Sequence, residues 1–182
     1  MIPIILALAF IALILAVVVL GQSDDFTVSR KATIAAPPEL VFPHVNELRN
    51  WEAWNPWGSL DPNCKMTYSG PASGVGASYS WSGNNKIGAG HNTITESTPN
   101  SLVRFRLEFL KPMTATNTAE FTFLPDGPNT IVTWTMRGER NFPGKLFGLL
   151  MNCDKMCGDQ FEKGLAKLKS VAEATPASMA AR

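Results

Sequence analysis

Histidine is almost missing from this chain of 182 residues: His44 and His91 are the only two. Two imidazoles with no clustered cysteines or carboxylates make a poor zinc site, so no metal is expected. Charge is scarce too, at 17% of residues, and the formal net charge is +1. A balance this close to neutral lacks the basic field that nucleic acid recruits, so nucleic acid is not an expected partner. The three cysteines, Cys64, Cys153 and Cys157, are odd in number and show no metal-ligand spacing. Cys153 and Cys157 stand four apart on an expected helix, where a disulfide is geometrically awkward, so the plainer reading is small apolar side chains. Nucleophile elbow, phosphate loop and dinucleotide fingerprint are all absent, and no cofactor is expected.

The longest gap in charge lies at the start. Residues 1–20 are uncharged, and no Lys or Arg precedes Arg30. Twenty residues at 1.5 Å each span roughly 30 Å, the hydrocarbon thickness of a bilayer. A cleaved signal peptide is the competing reading. It would need a basic start, a shorter apolar run and small residues before the cut, and Val18, Val19, Leu20 and Gln22 supply a poor one. The expectation is a single-pass anchor over 1–21 and a short tether over 22–25, with the membrane as partner through residues 1–20. Few basic residues flank the run, so the positive-inside rule says little; the domain is placed on the outer, periplasmic or extracellular, face.

Beyond the tether, apolar and polar residues alternate. Phe26 to Ala35 carries Val28, Arg30, Ala32 and Ile34 on one parity, a strand. Pro37-Pro38-Glu39 opens a short helix whose apolar side is Leu40, Val41, Val45 and Leu48. An irregular stretch with Trp51, Trp54 and Trp57 follows. Strands are then expected at 65–69, 77–82, 87–97, 102–109, 116–124 and 129–137. Their apolar parities include Tyr79 and Trp81, then Val103, Phe105, Leu107 and Phe109, then Ala119, Phe121 and Phe123, then Val132, Trp134 and Met136. One apolar and one polar face per strand describes an antiparallel sheet covered on one side. The cover is an amphipathic helix from Phe147, with Leu150, Cys157, Phe161, Leu165, Leu168 and Val171 inward; residues 175–182 form a frayed tail.

This order of elements, with Ala36-Pro37-Pro38-Glu39-Leu40-Val41-Phe42 after the first strand and Phe161-Glu162-Lys163-Gly164-Leu165 in the last helix, resembles the SRPBCC or START-like, helix-grip superfamily. The nearest likeness is to its polyketide cyclase/dehydrase and lipid-transport group. The Trp51–Trp57 stretch, Asp61-Pro62 and Tyr68-Ser69-Gly70-Pro71 resemble members with an N-terminal membrane segment. The resemblance implies an α+β fold over 26–174, a curved antiparallel sheet wrapped around a long C-terminal helix, behind a transmembrane helix. It also implies an apolar cavity between sheet and helix.

Three readings of function follow. The first is a membrane-tethered module that binds a small hydrophobic molecule or lipid, with Trp54, Tyr79, Trp81, Phe105, Phe121, Trp134 and Asp154 as lining. The second is a cyclase or dehydratase using the same cavity, with Asp154, His91 or Tyr79 as its polar groups. The third is an interaction domain whose interior is filled by its own side chains. Asp154 is singled out because it sits on the apolar stripe of the helix, where a carboxylate must pair or protonate. It either anchors a ligand head group or pairs with Arg137, Arg140 or a loop amide; rotation to the surface is the remaining option. The tryptophans are core, or else a cavity rim or a patch at the bilayer interface. Oligomeric state, ligand identity and the occurrence of any reaction are left open.

Overall fold

The computed structural model describes residues 2–140, 144–145 and 153–174, except for the side chains at 2, 7, 8, 11, 12 and 153. Helix α1, Ile2–Leu20, runs 19 residues without a charge. Counted over the described residues alone, no helix is long and apolar enough to cross a membrane. The expected crossing therefore has no support at this level. Expected positions Phe147 and Leu150, and the tail from 175, lie outside the described residues.

Strand β1, Asp25–Ile34, leads into α2, Pro38–Asn46, and then into two 3-10 turns, Leu48–Ala53 and Pro56–Ser59. Asp25 thus belongs to the first strand and not to the tether. Pro38 is tolerated in the first turn of α2, and Glu39 complements the positive helix end. Six strands follow: β2 Lys65–Ser69, β3 Ser78–Ser82, β4 Ala89–Thr98, β5 Leu102–Lys111, β6 Ala115–Asp126 and β7 Asn129–Glu139. Helix α3 spans Cys153–Glu173. The seven strands form one antiparallel sheet in the order β1-β7-β6-β5-β4-β3-β2, so the first strand closes against the last.

Alternation decides what faces α3. Val103 and Phe105 on β5, Ala119, Phe121 and Phe123 on β6, and Val132, Trp134 and Met136 on β7 are all buried on the concave side. Phe161, Leu165, Leu168 and Ala172 of α3 meet them, with Cys157 and Val171 half-buried at the margin. Leu40, Val41 and Val45 of α2, together with Leu48, complete the same core. Each fully buried large aromatic ring contributes about 4–6 kcal/mol of transfer free energy, so this interior dominates the stability of the fold.

Candidate functional site

The concave face has two unlike ends. At the first, Trp51 of the first 3-10 turn and Trp54 just after it lie with ring centroids 4.6 Å apart. Trp51 meets Phe105 edge-on at 5.3 Å and Phe121 at 5.8 Å. Phe121 stacks on Trp134 at 4.7 Å, and Trp134 stacks on Phe161 at 4.1 Å. Both indoles are pinned from above: Trp51 Nε1 donates to Val45 O and Trp54 Nε1 to His44 O, each at 2.9 Å. Trp54, Phe105 and Phe121 are fully buried. This end is closed by its own side chains, so four of the expected lining residues, Trp54, Phe105, Phe121 and Trp134, pack against one another or Trp51.

The second end lies toward the start of β6 and the finish of β7. One row crosses the sheet there in register: Tyr79 on β3 faces Asn92 on β4, Asn92 faces Leu107, Leu107 faces Asn117, and Asn117 faces Gly138. Asn92 is 2% exposed and Asn117 7%, yet among the described residues the Oδ1 atom of each has no hydrogen-bond partner, as is also true of Trp134 Nε1 at the first end. Their amide nitrogens are weakly engaged. Asn92 Nδ2 donates to Tyr79 Oη at 3.5 Å, and Asn117 Nδ2 points at Met136 Sδ at 3.8 Å. Gly138 makes room for this arrangement, since a Cβ there would collide with Asn117 Oδ1 and lie 2.8 Å from Phe26 Cε1. Leu107 and Phe109, both inward by parity, are only half-buried, as is Trp81, whose ring meets Phe109 at 5.8 Å. Burial pushes the Tyr79 phenol up to about 12, which keeps it a neutral hydroxyl.

The two remaining polar candidates lie elsewhere. Asp154 is a surface residue, its side chain 60% exposed, and its partner is neither Arg137 nor Arg140. Arg30, on the inward parity of β1, bonds Asp154 Oδ2 at 3.1 Å and Glu162 Oε1 at 2.8 Å. Gly158 lets the guanidinium lie against the helix, because a Cβ there would strike it. The Arg30 hydrogen bond holds the Asp154 carboxyl below its usual range. His91 faces outward, where its Nδ1 meets Ser80 Oγ at 2.9 Å. Neither residue reaches the concave face, so the expected use of Asp154 or His91 as a cavity group is corrected. The unbroken β3–β4 ladder, which pairs Ser80 with His91 and Tyr79 with Asn92, sets His91 outward and Asn92 inward.

The expected chamber between sheet and helix is likewise corrected at the first end, which the aromatic cluster fills. Openings of about 540 Å³ and about 230 Å³ lie at the surface, one bordered by Thr27, Thr116, Thr118 and Arg137, the other by Arg49, Tyr68 and Pro71. Among the described residues, no three His, Cys, Asp or Glu side chains gather as metal ligands. Sequence reasoning missed Asn92 and Asn117 as site residues. Their signal was a polar residue on an otherwise apolar parity.

Over residues 25–173 the chain matches the model of the polyketide cyclase / dehydrase and lipid transport family, and it belongs to that family. No curated protein sequence matches it. Protein CV1439 from Chromobacterium violaceum has a similar structure, with TM-score 0.61 at 14% identity over 82% of this chain and 98% of that one. The Aha1 dimer from Colwellia psychrerythraea gives TM-score 0.59 at 18% identity, covering 82% and 97%. The di-domain ARO/CYC BexL of the BE-7585A biosynthetic pathway gives 0.59 at 14% identity, covering 88% of this chain and 54% of that one. Likeness at these identities establishes the fold and leaves the chemistry to the site.

Proposed function

We propose that this chain is a membrane-tethered module that binds a small hydrophobic molecule on the half-filled end of its concave face. The observation that carries the reading is the pair of unpartnered amide oxygens, Asn92 Oδ1 and Asn117 Oδ1, buried beside half-exposed Leu107 and Phe109. A buried amide without a partner costs roughly 1–3 kcal/mol, which a donor on a bound molecule would recover. Apolar walls with a few convergent polar groups are the usual make-up of a small-molecule site. Family membership supports the same reading, since the family's own description joins cyclase and dehydrase chemistry with lipid transport.

Catalysis is the weaker reading. General acid–base chemistry needs a titratable pair in reach of the ligand. Here Asp154 is tied to Arg30 at the surface and His91 to Ser80 on the outer face, which leaves a neutral tyrosine and two amides. The tether, as distinct from a crossing, draws on the surface of α1, which is uncharged and keeps Ile4, Phe10, Leu13 and Leu20 more than half exposed. An apolar surface of that extent is unfavourable in water and favourable in hydrocarbon.

The test is native mass spectrometry of the full chain, taken from its own host's membranes in a mild detergent. A defined co-purifying hydrophobic molecule is expected, with the protein resisting alkaline carbonate extraction. An apo mass that stays unchanged after incubation with host lipid extract would count against binding. Release by carbonate would count against the tether alone.

A further inference from the structure

We infer that the tip of the β5–β6 hairpin, Leu110 to Met113, is a second membrane contact, resting on the anionic surface of the bilayer to which α1 tethers the domain. The inference rests on the tether reading above and adds a contact that the tether alone does not require. Strand register sets where the tip lies. Gly21 to Asp24 alone separate α1 from β1, a link of about 17 Å at full stretch. Asp25 then pairs with Glu139 at the finish of β7, Gly138 with Asn117 near the start of β6, and Ala115 with Phe109 across the hairpin. The β5–β6 turn therefore hangs from the end of the sheet at which α1 joins. The β3–β4 turn hangs beside it, where Gly88 comes so near Lys111 O that a Cβ would collide with it.

Hairpin turns are normally polar, and Asn84-Asn85-Lys86, Pro99-Asn100-Ser101 and Asp126-Gly127-Pro128 follow that rule. The β5–β6 turn reads Leu110-Lys111-Pro112-Met113 instead. Leu110 is the extra residue of a bulge, because Ala89 pairs with Lys111 and Gly90 with Phe109; such a bulge re-aims a side chain at the rim of a sheet. Leu110 is 60% exposed and Met113 45%. Outside α1, the other exposed large apolar residues described, Val75, Leu124 and Met156, stand singly along the chain, as is ordinary.

Charge selects the partner. Lys86 and Lys111 are exposed at the two turns, and neither 83–88 nor 110–114 contains a carboxylate. The carboxylates nearby are engaged: Asp61 accepts from Asn63 N and Asn84 N, Glu108 bonds Arg106, and Asp24 pairs with Lys145. Asp25 and Glu139 face each other on β1 and β7, with β6 between them and β5. Exposed apolar side chains beside lysines suit an anionic lipid surface, where the apolar groups enter the acyl boundary and the ammonium groups stay among the phosphates.

The test is methyl NMR of the full chain, labelled with carbon-13 at its methionine methyls and held on lipid nanodiscs that carry a doxyl spin label just below the headgroups. Discs of mixed phosphatidylglycerol and phosphatidylcholine are compared with discs of phosphatidylcholine alone. Met113→Leu identifies the Met113 signal, and Leu124→Met supplies an exposed reporter at the opposite end of the sheet. In the anionic discs the Met113 methyl should lose most of its intensity to the spin label, while the Leu124→Met methyl keeps its own. In the neutral discs the docked population should fall about fivefold for each lysine, and the Met113 signal should recover. A Met113 signal as strong in anionic discs as that of Leu124→Met would overturn the contact with the tether intact. Equal broadening in neutral discs would overturn the anionic partner. A chain that does not stay with the discs at all would sink the tether reading, and the hairpin contact with it.

Discussion

Along β6, Phe121 and Asn117 stand four residues apart on the same face, and their surroundings are opposite. Phe121 touches aromatic rings from β5, β7 and the 3-10 turn, and it is fully buried among apolar atoms. Asn117 is buried as well, yet its oxygen meets no donor and its neighbour in the row, Leu107, is half open. One end of the concave face is filled by its own rings, with Trp134 Nε1 the one buried polar atom of that cluster left without a partner among the described residues. The other has paid desolvation for groups that nothing in the described chain satisfies. Stability and binding are thus divided between two halves of one surface, and a variant should disturb one without the other.

The largest expected effect is at the closed end. Phe121→Ala removes a ring from a full interior and should lower the unfolding free energy by about 3–5 kcal/mol in denaturant titrations, whereas Leu107→Ala should cost roughly 1–2 kcal/mol. Equal costs would erase the distinction between the two ends. Gly138→Ala comes next. Its Cβ would strike Asn117 Oδ1, so a loss of about 1–3 kcal/mol and a displaced amide are expected, and Asn117→Ala in the same chain should relieve much of it.

The Tyr79 phenol, raised to about 12 mainly by burial, gives a pH test. Its folded value lies above the ordinary tyrosine value of about 10, so its contribution is intact below that value and is lost as pH climbs from there toward 12, on the order of 2 kcal/mol. Absorbance at 295 nm should accordingly show almost no tyrosinate at pH 10.5 in the folded chain, because Tyr68 is shifted upward as well. Substantial tyrosinate there would show that the half-open end is wet. The smallest effect belongs to Asp154→Asn. With the folded carboxyl depressed by Arg30, the pair's contribution is present above the ordinary aspartate value and fades as pH falls below it. Such an exposed pair contributes little, so a barely measurable drop in Tm at pH 7 and no change in ligand binding are expected.

Much of this fold is legible in the residues. The alternation of Val103, Phe105, Leu107 and Phe109 identifies β5, and Lys65–Ser69 is a strand with the expected bounds, because a one-sided sheet imposes period two on its sequence. Of the alternatives left open for Trp51 and Trp54, core is the one their burial and the 4.6 Å ring contact match, while Trp54 as ligand lining has no exposed surface to offer. The site was less legible for physical reasons. The extra residue on β4 is Thr95, between Ile94 and Glu96, and it breaks the alternation that would otherwise have marked Asn92 and Ile94 as one inward face. Asp154 does fall on the helical stripe, but that turn of α3 lies beside β1, where Arg30 waits on the inward parity. A charge on each facing stripe was the available clue. Asn117 was visible only as a polar residue two places before Ala119, on an apolar parity whose ladder the sequence does not display.

The most direct test of the two-ended interior is a nitrogen-15 NMR titration of the full chain with naphthalene-2,6-diol, following side-chain amide and indole signals. The account predicts that the Asn92 and Asn117 amides and the Trp81 indole shift together, while the Trp51 and Trp54 indoles, bonded to Val45 and His44, stay still. Movement of Trp51 and Trp54 with the asparagine amides unmoved would place the guest at the closed end and contradict it.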